Sequence, residues 1–196
     1  MFVFNKKLLL PSALLLLLLA ACIKSPSTNS KKPLLSTIRW GVGAIPEPAD
    51  WTRCQTNTCF RHAALTMEGL TRLQGDPREH PVKNALAARI EKISDRLYQI
   101  EIRSGVRWTN GRLLKAEDFI QSWKQVLTGC KNNRASAYLF SIFNAEAYCD
   151  QQVKWEQVGI HSSSPLQISV RLKRPTPSFP SHLAHPVFWP RYTPSV

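Results

Sequence analysis

The sequence has 196 residues, which is long enough for one domain or for a piece of a larger protein. It carries 26 Lys and Arg against 13 Asp and Glu, so its formal net charge is +13. Such a charge can indicate nucleic-acid binding, but the basic residues are scattered and no recognition-helix, OB-fold or RRM signature is present. We therefore expect a solvated basic surface and no nucleic-acid partner.

The first 21 residues have the features of a bacterial export signal. Lys6 and Lys7 precede a largely apolar run over 8–19, and small residues lead up to Cys22. This order resembles a lipobox, in which the cysteine receives a diacylglycerol and becomes the mature N-terminus. A transmembrane anchor is the alternative, but the run is shorter than the roughly 20 residues that span a bilayer. We interpret 1–21 as a lipoprotein signal peptide.

A polar segment follows the predicted cleavage point. Residues 22–36 are rich in Ser, Pro and Lys, a composition typical of a flexible tether. Loss of the signal peptide removes two lysines, so the mature net charge would be about +11. We predict a protein of the cell envelope that is lipid-anchored to a membrane and faces the periplasm or the outside.

Four cysteines remain in the mature chain: Cys54, Cys59, Cys130 and Cys149. In an exported protein an even number favours disulfides, and four cysteines allow three pairings. Proximity favours one disulfide within the first two and one within the last two, although the sequence leaves the pairing open. A zinc site made by the first two with His62 and His80 is the alternative, but its spacing fits no usual structural zinc motif.

The first half of the chain predicts a strand, a helix and a hairpin. Residues 38–42 alternate as in a half-buried strand, and apolar residues at helical spacing over 60–70 predict a helix. Two further alternating runs, 89–93 and 97–103, predict a hairpin with its turn at 94–95.

The most informative stretch is 98–123, which predicts a strand, a tight turn and a helix in succession. Asn110 and Gly111 tolerate the positive φ that tight turns need. Apolar residues then recur at helical spacing, so we predict a helix over 116–128 that stops at Gly129.

The second half is less regular until its last strand. Apolar residues over 135–148 indicate an irregular helical region, and 155–160 predict a short strand or a turn. Strict alternation of apolar and polar residues over 166–173 predicts the clearest strand of the chain.

No catalytic motif is present. The sequence lacks the glycine-rich nucleotide motifs, the HExxH motif of zinc proteases and the GxSxG motif of hydrolases. Glu117 and Asp118 would point about 100° apart on a helix, so we interpret them as first-turn charges and not as an acid–base pair. We predict no enzyme, no cofactor and no metal. The five histidines are dispersed and are interpreted as surface or capping residues: His62, His80, His161, His182 and His185.

The order of several motifs nevertheless resembles a known family. They are E-G-L-T-R at 68–72, Y-Q-I-E-I-R at 98–103, G-V-R-W-T-N-G at 105–111, A-E-D-F-I-Q-S-W at 116–123, P-T-P-S-F-P at 175–180 and L-A-H-P at 183–186. Behind a lipobox, this series resembles the extracellular solute-binding proteins of peptide ABC transporters, the oligopeptide- and dipeptide-binding family. The resemblance covers about residues 37–190.

The resemblance implies a mixed α/β (α+β) fold, namely the N-terminal part of a two-lobed periplasmic-binding-protein-like fold, truncated here. A lobe cut in this way is expected to expose the apolar run 187–189. The implied domains are a signal peptide over 1–21, a tether over 22–36, the first strand of the lower lobe over 37–48, a small extra domain over 49–163 and an incomplete return into the lower lobe over 164–196.

The resemblance also implies a function. The protein would be the substrate-binding lipoprotein of a peptide ABC importer, which captures oligopeptides between two lobes and delivers them to the permease, here as an N-terminal fragment. Glu47 and Tyr138 match family positions near the peptide; a solvated loop acid and a buried core phenol are the alternatives. A truncated non-binding or structural lipoprotein remnant is the alternative function, and a secreted hydrolase has no motif to support it.

Replacement Cys22→Ala should abolish lipidation, because alanine offers no sulfur to the diacylglycerol. We expect the exported protein to lose fatty-acid labelling, whereas the control Cys54→Ala keeps it. Metabolic labelling with an alkyne fatty acid measures the difference. Labelling that survives Cys22→Ala would contradict the lipoprotein interpretation.

Overall fold

The computed structural model describes residues 41, 50–53, 56–73 and 82–192. Cys22, Glu47 and Cys54 lie outside these residues, as does the predicted first strand apart from Gly41. In the described part, no helix is long and apolar enough to cross a bilayer. The helices and strands are α1 (Asn57–Thr66), β1 (Thr71–Leu73), β2 (Val82–Asn84), β3 (Ala87–Ser94), β4 (Leu97–Ile102), α2 (Ala116–Thr128), α3 (Ala145–Cys149), β5 (Ile160–Ser164), β6 (Gln167–Arg171) and α4 (Phe179–His182). Short 3-10 turns lie at Trp51–Arg53, Cys130–Asn132, Arg134–Ser141, Trp155–Gln157 and Pro186–Phe188.

Two predicted elements form as the sequence pattern indicates. Helix α2 has the predicted bounds, and the N–H of Gly129 closes it by donating to Gln125 O. Strands β3 and β4 form the predicted antiparallel hairpin, in which Ile90 lies opposite Ile100. In α2 the apolar side is buried along the helix, and in the hairpin the alternating residues Tyr98, Ile100 and Ile102 of β4 are buried, so the local period predicts both elements.

The predicted end of the first helix is wrong. Helix α1 stops at Thr66, and the chain is extended from Met67 onwards. The carbonyl of Leu70 accepts hydrogen bonds from the N–H groups of Ala85 and Ala87, and Gly69 O accepts from Leu86 N. These backbone bonds to a distant segment take the place of another helical turn.

Four strands form one antiparallel sheet in the order β3-β4-β6-β5. Ile100 of β4 lies opposite Ile168 of β6, and Val170 of β6 lies opposite Ile160 of β5. The buried side chains alternate with polar ones along β4 and β6, as the two-residue period of a strand requires. One face of the sheet therefore joins the same buried core as α2.

The apolar run 187–189 lies in the core, which corrects the expected exposure. Phe188 has no exposed surface and Trp189 is only 7% exposed. Two side chains of α2 hold the backbone of this run: Trp123 Nε1 donates to Phe188 O at 2.8 Å, and Ser122 Oγ donates to Trp189 O at 2.9 Å. The surface that was expected to be open is thus covered by contacts within the chain.

The predicted tight turn before α2 is anchored by Asp118. Gly111 supplies the positive φ of the turn, at 86°. The buried Asp118 carboxylate accepts hydrogen bonds from Trp108 Nε1 at 3.1 Å, from an Arg112 guanidinium nitrogen at 2.5 Å and from Lys115 N at 2.9 Å. Its charge is therefore paired within the fold and helps to begin the helix.

A disulfide joins Cys130 to Cys149, whose Cα atoms are 5.9 Å apart. It closes a loop with a sequence separation of 19, a length worth about 3 kcal/mol in the chain-entropy model. Cys59 is also disulfide-bonded, so its sulfur does not serve a zinc ion. Across 56–73 and 82–192, no three His, Cys, Asp or Glu side chains lie close enough to hold a metal ion.

Replacement Gly69→Ala should destabilise the protein by about 2 kcal/mol, because the core around this backbone has no room for a methyl group. A Cβ atom at this position would lie 2.4 Å from Trp189 Nε1 and 3.0 Å from Leu183 O. The control Gly129→Ala meets only Gln125 O at 3.6 Å and should change the free energy of unfolding by less than about 0.5 kcal/mol. Urea titration measures both values, and equal stabilities would disprove the close contact.

Candidate ligand-binding pocket

An open and mainly apolar pocket of about 640 Å³ lies between α1, β1 and the segment that follows α4. Helix α1 contributes Phe60 and Ala64, and the 3-10 turn before α3 contributes Tyr138. Leu73, the last residue of β1, and Trp189 also line the pocket. The volume falls in the range of roughly 300–1,000 Å³ that is usual for ligand sites.

His185 is the most constrained side chain of the pocket. Its ring stacks on Tyr138 with centroids 4.1 Å apart and meets the Phe60 ring edge-on at 5.3 Å. Its Nδ1 accepts a hydrogen bond from Val187 N at 3.2 Å and so caps the 3-10 turn Pro186–Phe188. The cap requires an unprotonated Nδ1, so this geometry favours the neutral imidazole.

Burial sets the charge of both histidines in the pocket. It lowers the pKa of His185 to about 4, and repulsion from His182 adds to the effect. Burial also lowers the pKa of His182 below its usual value. Both rings are therefore neutral at pH 7, and neither adds a cation to the pocket.

Glu68 and Arg72, the two ionised side chains among the described lining residues, pair with each other. An Arg72 guanidinium nitrogen donates to a carboxylate oxygen of Glu68, which lies four positions earlier in the chain. Both side chains are well exposed, at 38% for Glu68 and 60% for Arg72. The pair contributes little to stability at such a position, but it leaves the pocket wall without net charge.

The other polar groups of the wall are mostly committed to the protein itself. Thr71 Oγ1 donates to Pro180 O at 2.7 Å, and Trp189 Nε1 donates to Ala184 O at 3.1 Å. His182 Nδ1 is the exception, being buried without a hydrogen-bond partner in the described ranges. Most of the wall thus offers apolar surface and few free donors or acceptors.

Of the predicted ligand-binding residues, Tyr138 lies in this pocket. Its side chain is 50% exposed, which excludes the alternative of a buried core phenol. Glu47 lies outside the described residues. The cysteine pair 130 and 149 lies in the scaffold, and neither cysteine lines the pocket.

Sequence reasoning missed most of the pocket wall. His182 and His185 were interpreted as surface or capping residues; His185 is indeed a cap, yet it also faces the tyrosine. Phe60 and Trp189 come from segments more than 120 positions apart, so no local period joins them. The available signal was the L-A-H-P run at 183–186, which belongs to the family resemblance and lines the pocket with three of its residues.

The described part of the chain combines a mixed α/β scaffold with an open and mainly apolar pocket. The family model of bacterial extracellular solute-binding proteins, family 5 Middle, matches residues 81–193, which is more than half of the chain. The chain belongs to this family. The resemblance inferred from the motifs and the mixed α/β fold class are both confirmed.

Individual relatives agree with this assignment. The chain is 29% identical over 176 residues to the dipeptide-binding protein of Lactococcus lactis subsp. cremoris (strain MG1363), covering 89% of this chain and 30% of that protein. It is 32% identical over 128 residues to the oligopeptide-binding protein OppA of Bacillus subtilis (strain 168), covering 64% and 23%. The structure of Listeria monocytogenes OppA bound to peptide matches with a TM-score of 0.67 at 27% identity, covering 76% and 30%. The chain thus spans less than a third of the length of each.

The free energy of unfolding should decrease as the pH falls from about 6.5 to about 4. Over this range His185 becomes protonated in the unfolded state, whereas burial keeps its ring neutral in the folded state. Above pH 6.5 the ring is neutral in both states and this loss is absent. Partial exposure of the ring limits the loss to about 1–2 kcal/mol.

The variant His185→Asn retains a capping oxygen but does not titrate in this range, so its stability should depend less on pH. Urea titrations at pH 7.0 and pH 4.5 measure the difference. The matched control His62→Asn changes an exposed histidine of α1 and should behave as the unmodified protein. An equal pH dependence in His185→Asn would contradict the assignment.

Proposed function

We propose that this chain belongs to the substrate-binding component of a peptide ABC importer and binds peptides at the pocket that contains Tyr138. The observation that carries the proposal is this half-exposed tyrosine, held by His185 in an apolar pocket of a family 5 solute-binding chain. The family consists of extracellular or periplasmic binding proteins and not of enzymes. The names of two relatives, a dipeptide-binding and an oligopeptide-binding protein, support a peptide ligand.

In this proposal the peptide lies extended between two lobes and is held largely through its backbone, as an added strand would be. Tyr138 supplies an aromatic contact, and Glu47 supplies a nearby carboxylate. The small domain over 49–163 and the segment over 164–196 form one wall of the cleft. Closure of a second lobe about a hinge would complete the site.

The proposed location and partner follow from the same assignment. Cys22 carries a diacylglycerol, and the tether over 22–36 holds the binding domain near the membrane, where the permease receives the peptide. The sequence of the lipobox supports the anchor. In the alternative, the chain is a lipoprotein remnant of the family that binds no peptide.

Replacement Tyr138→Ala should reduce peptide binding about fivefold, because loss of one aromatic contact costs about 1 kcal/mol. The measurement is the yield of photo-crosslinking to an alanine tripeptide whose central residue is p-benzoylphenylalanine, with the crosslinked site identified by mass spectrometry. This method detects weak binding, which we expect because one wall of a cleft does not exclude water.

Two variants keep the result interpretable. Tyr138→Phe preserves the ring and should keep most of the yield, while Ile93→Ala shortens an equally exposed apolar side chain on β3, outside the pocket. A complete absence of crosslinks with the unmodified chain would favour the non-binding remnant. Equal yields for all three variants would mean that Tyr138 is not a contact residue.

A further inference from the structure

The side chains that line the pocket indicate which kind of ligand group would fit it. Its apolar wall is formed by side chains from three separate segments: Phe60, Ala64, Met67, Leu73, Tyr138 and Trp189. Leu73 is 67% exposed and Tyr138 is 50% exposed, and both line the same pocket, so they form part of one contiguous apolar surface. Covering such an apolar surface with an apolar ligand group removes it from water and is therefore favourable.

Among the residues that the structure describes, the wall offers no unpaired charge to a ligand. Glu68 and Arg72 pair with each other, and His185 uses its Nδ1 to cap a turn while its ring stacks on Tyr138. Within 56–73 and 82–192, these four side chains and His182 are the titratable and charged groups that line the pocket. A ligand ammonium or carboxylate that enters would lose water without gaining a fixed counter-charge, which is unfavourable.

We propose that this pocket binds an uncharged apolar side chain of the peptide, either aromatic or branched aliphatic, and discriminates against Lys and Glu at that position. The inference rests on the proposed function, since it names the side-chain class that the peptide site prefers. The occupant is a peptide side chain because peptide is the ligand under the proposed function, which the names of the dipeptide- and oligopeptide-binding relatives support. The pocket volume of 640 Å³ also accommodates the neighbouring backbone of an extended ligand.

Helix α1 offers a matched pair of variants. Ala64 and Leu65 are neighbours, both are exposed, and only Ala64 lines the pocket. Ala64→Glu places a carboxylate in the pocket, while Leu65→Glu places the same charge on the same helix outside it. Glutamate is a good helix former, so neither variant should disturb α1.

The experiment is a two-dimensional NMR titration of the protein with four tripeptides, Ala-Leu-Ala, Ala-Phe-Ala, Ala-Lys-Ala and Ala-Glu-Ala. We expect the Leu and Phe peptides to bind about tenfold more tightly than the Lys and Glu peptides, the factor that partial burial of one such side chain provides. Shifts should centre on the amides of 67–73 and 181–189. Ala64→Glu should abolish the preference for Leu and Phe, and Leu65→Glu should keep it.

The remaining outcomes separate the two proposals. Equal affinity for all four tripeptides, or an unchanged preference in Ala64→Glu, would overturn the apolar preference and leave peptide binding in place. Shifts confined to residues outside the pocket would have the same meaning. No shift with any tripeptide would overturn both proposals. Burial of the pocket in a dimer, seen as concentration-dependent shifts without peptide, would assign the surface to a second copy and overturn the apolar preference.

Discussion

The indole of Trp123 is the contact on which most of the described structure depends. It is fully buried on α2 and donates its N–H to Phe188 O, while the adjacent Ser122 hydroxyl donates to Trp189 O. These two bonds attach a run of prolines and aromatic residues, which has little regular structure of its own, to a regular helix. Since Trp189 lines the pocket, the shape of the pocket depends on a helix that does not line it.

A second polar anchor fixes the start of the same helix. Asp118 is buried and accepts hydrogen bonds from Trp108, Arg112 and the backbone of Lys115. A buried carboxylate is stable only when its oxygens are satisfied and its charge is paired, and this one meets both conditions. The tight turn at Gly111 therefore matters for the helix, because it brings the Trp108 indole and the Arg112 guanidinium to the N-terminus of α2.

The pocket owes its neutral character to pairing within its own wall. Its two ionised groups, Glu68 and Arg72, cancel each other, and burial keeps both histidines uncharged near neutral pH. This is compatible with a chain whose formal net charge is +13, because the excess cations lie elsewhere. In the described wall, a charged ligand group would meet apolar surface and no unpaired counter-charge.

The sequence by itself determined helix α2, the β3–β4 hairpin and the tight turn, because each depends on residues close together in the chain. It also determined the family, because the order of several short motifs can be read without knowing how they pack. Only the tertiary structure decided where α1 ends, since the carbonyl of Leu70 bonds to residues 85 and 87 instead of continuing a helix. It also decided that 187–189 is buried and that Phe60, Tyr138 and His185 meet. The hydrophobic periodicity of a segment indicates which side of a helix or strand is apolar. The segment that packs against this side is decided only when distant parts of the chain come together.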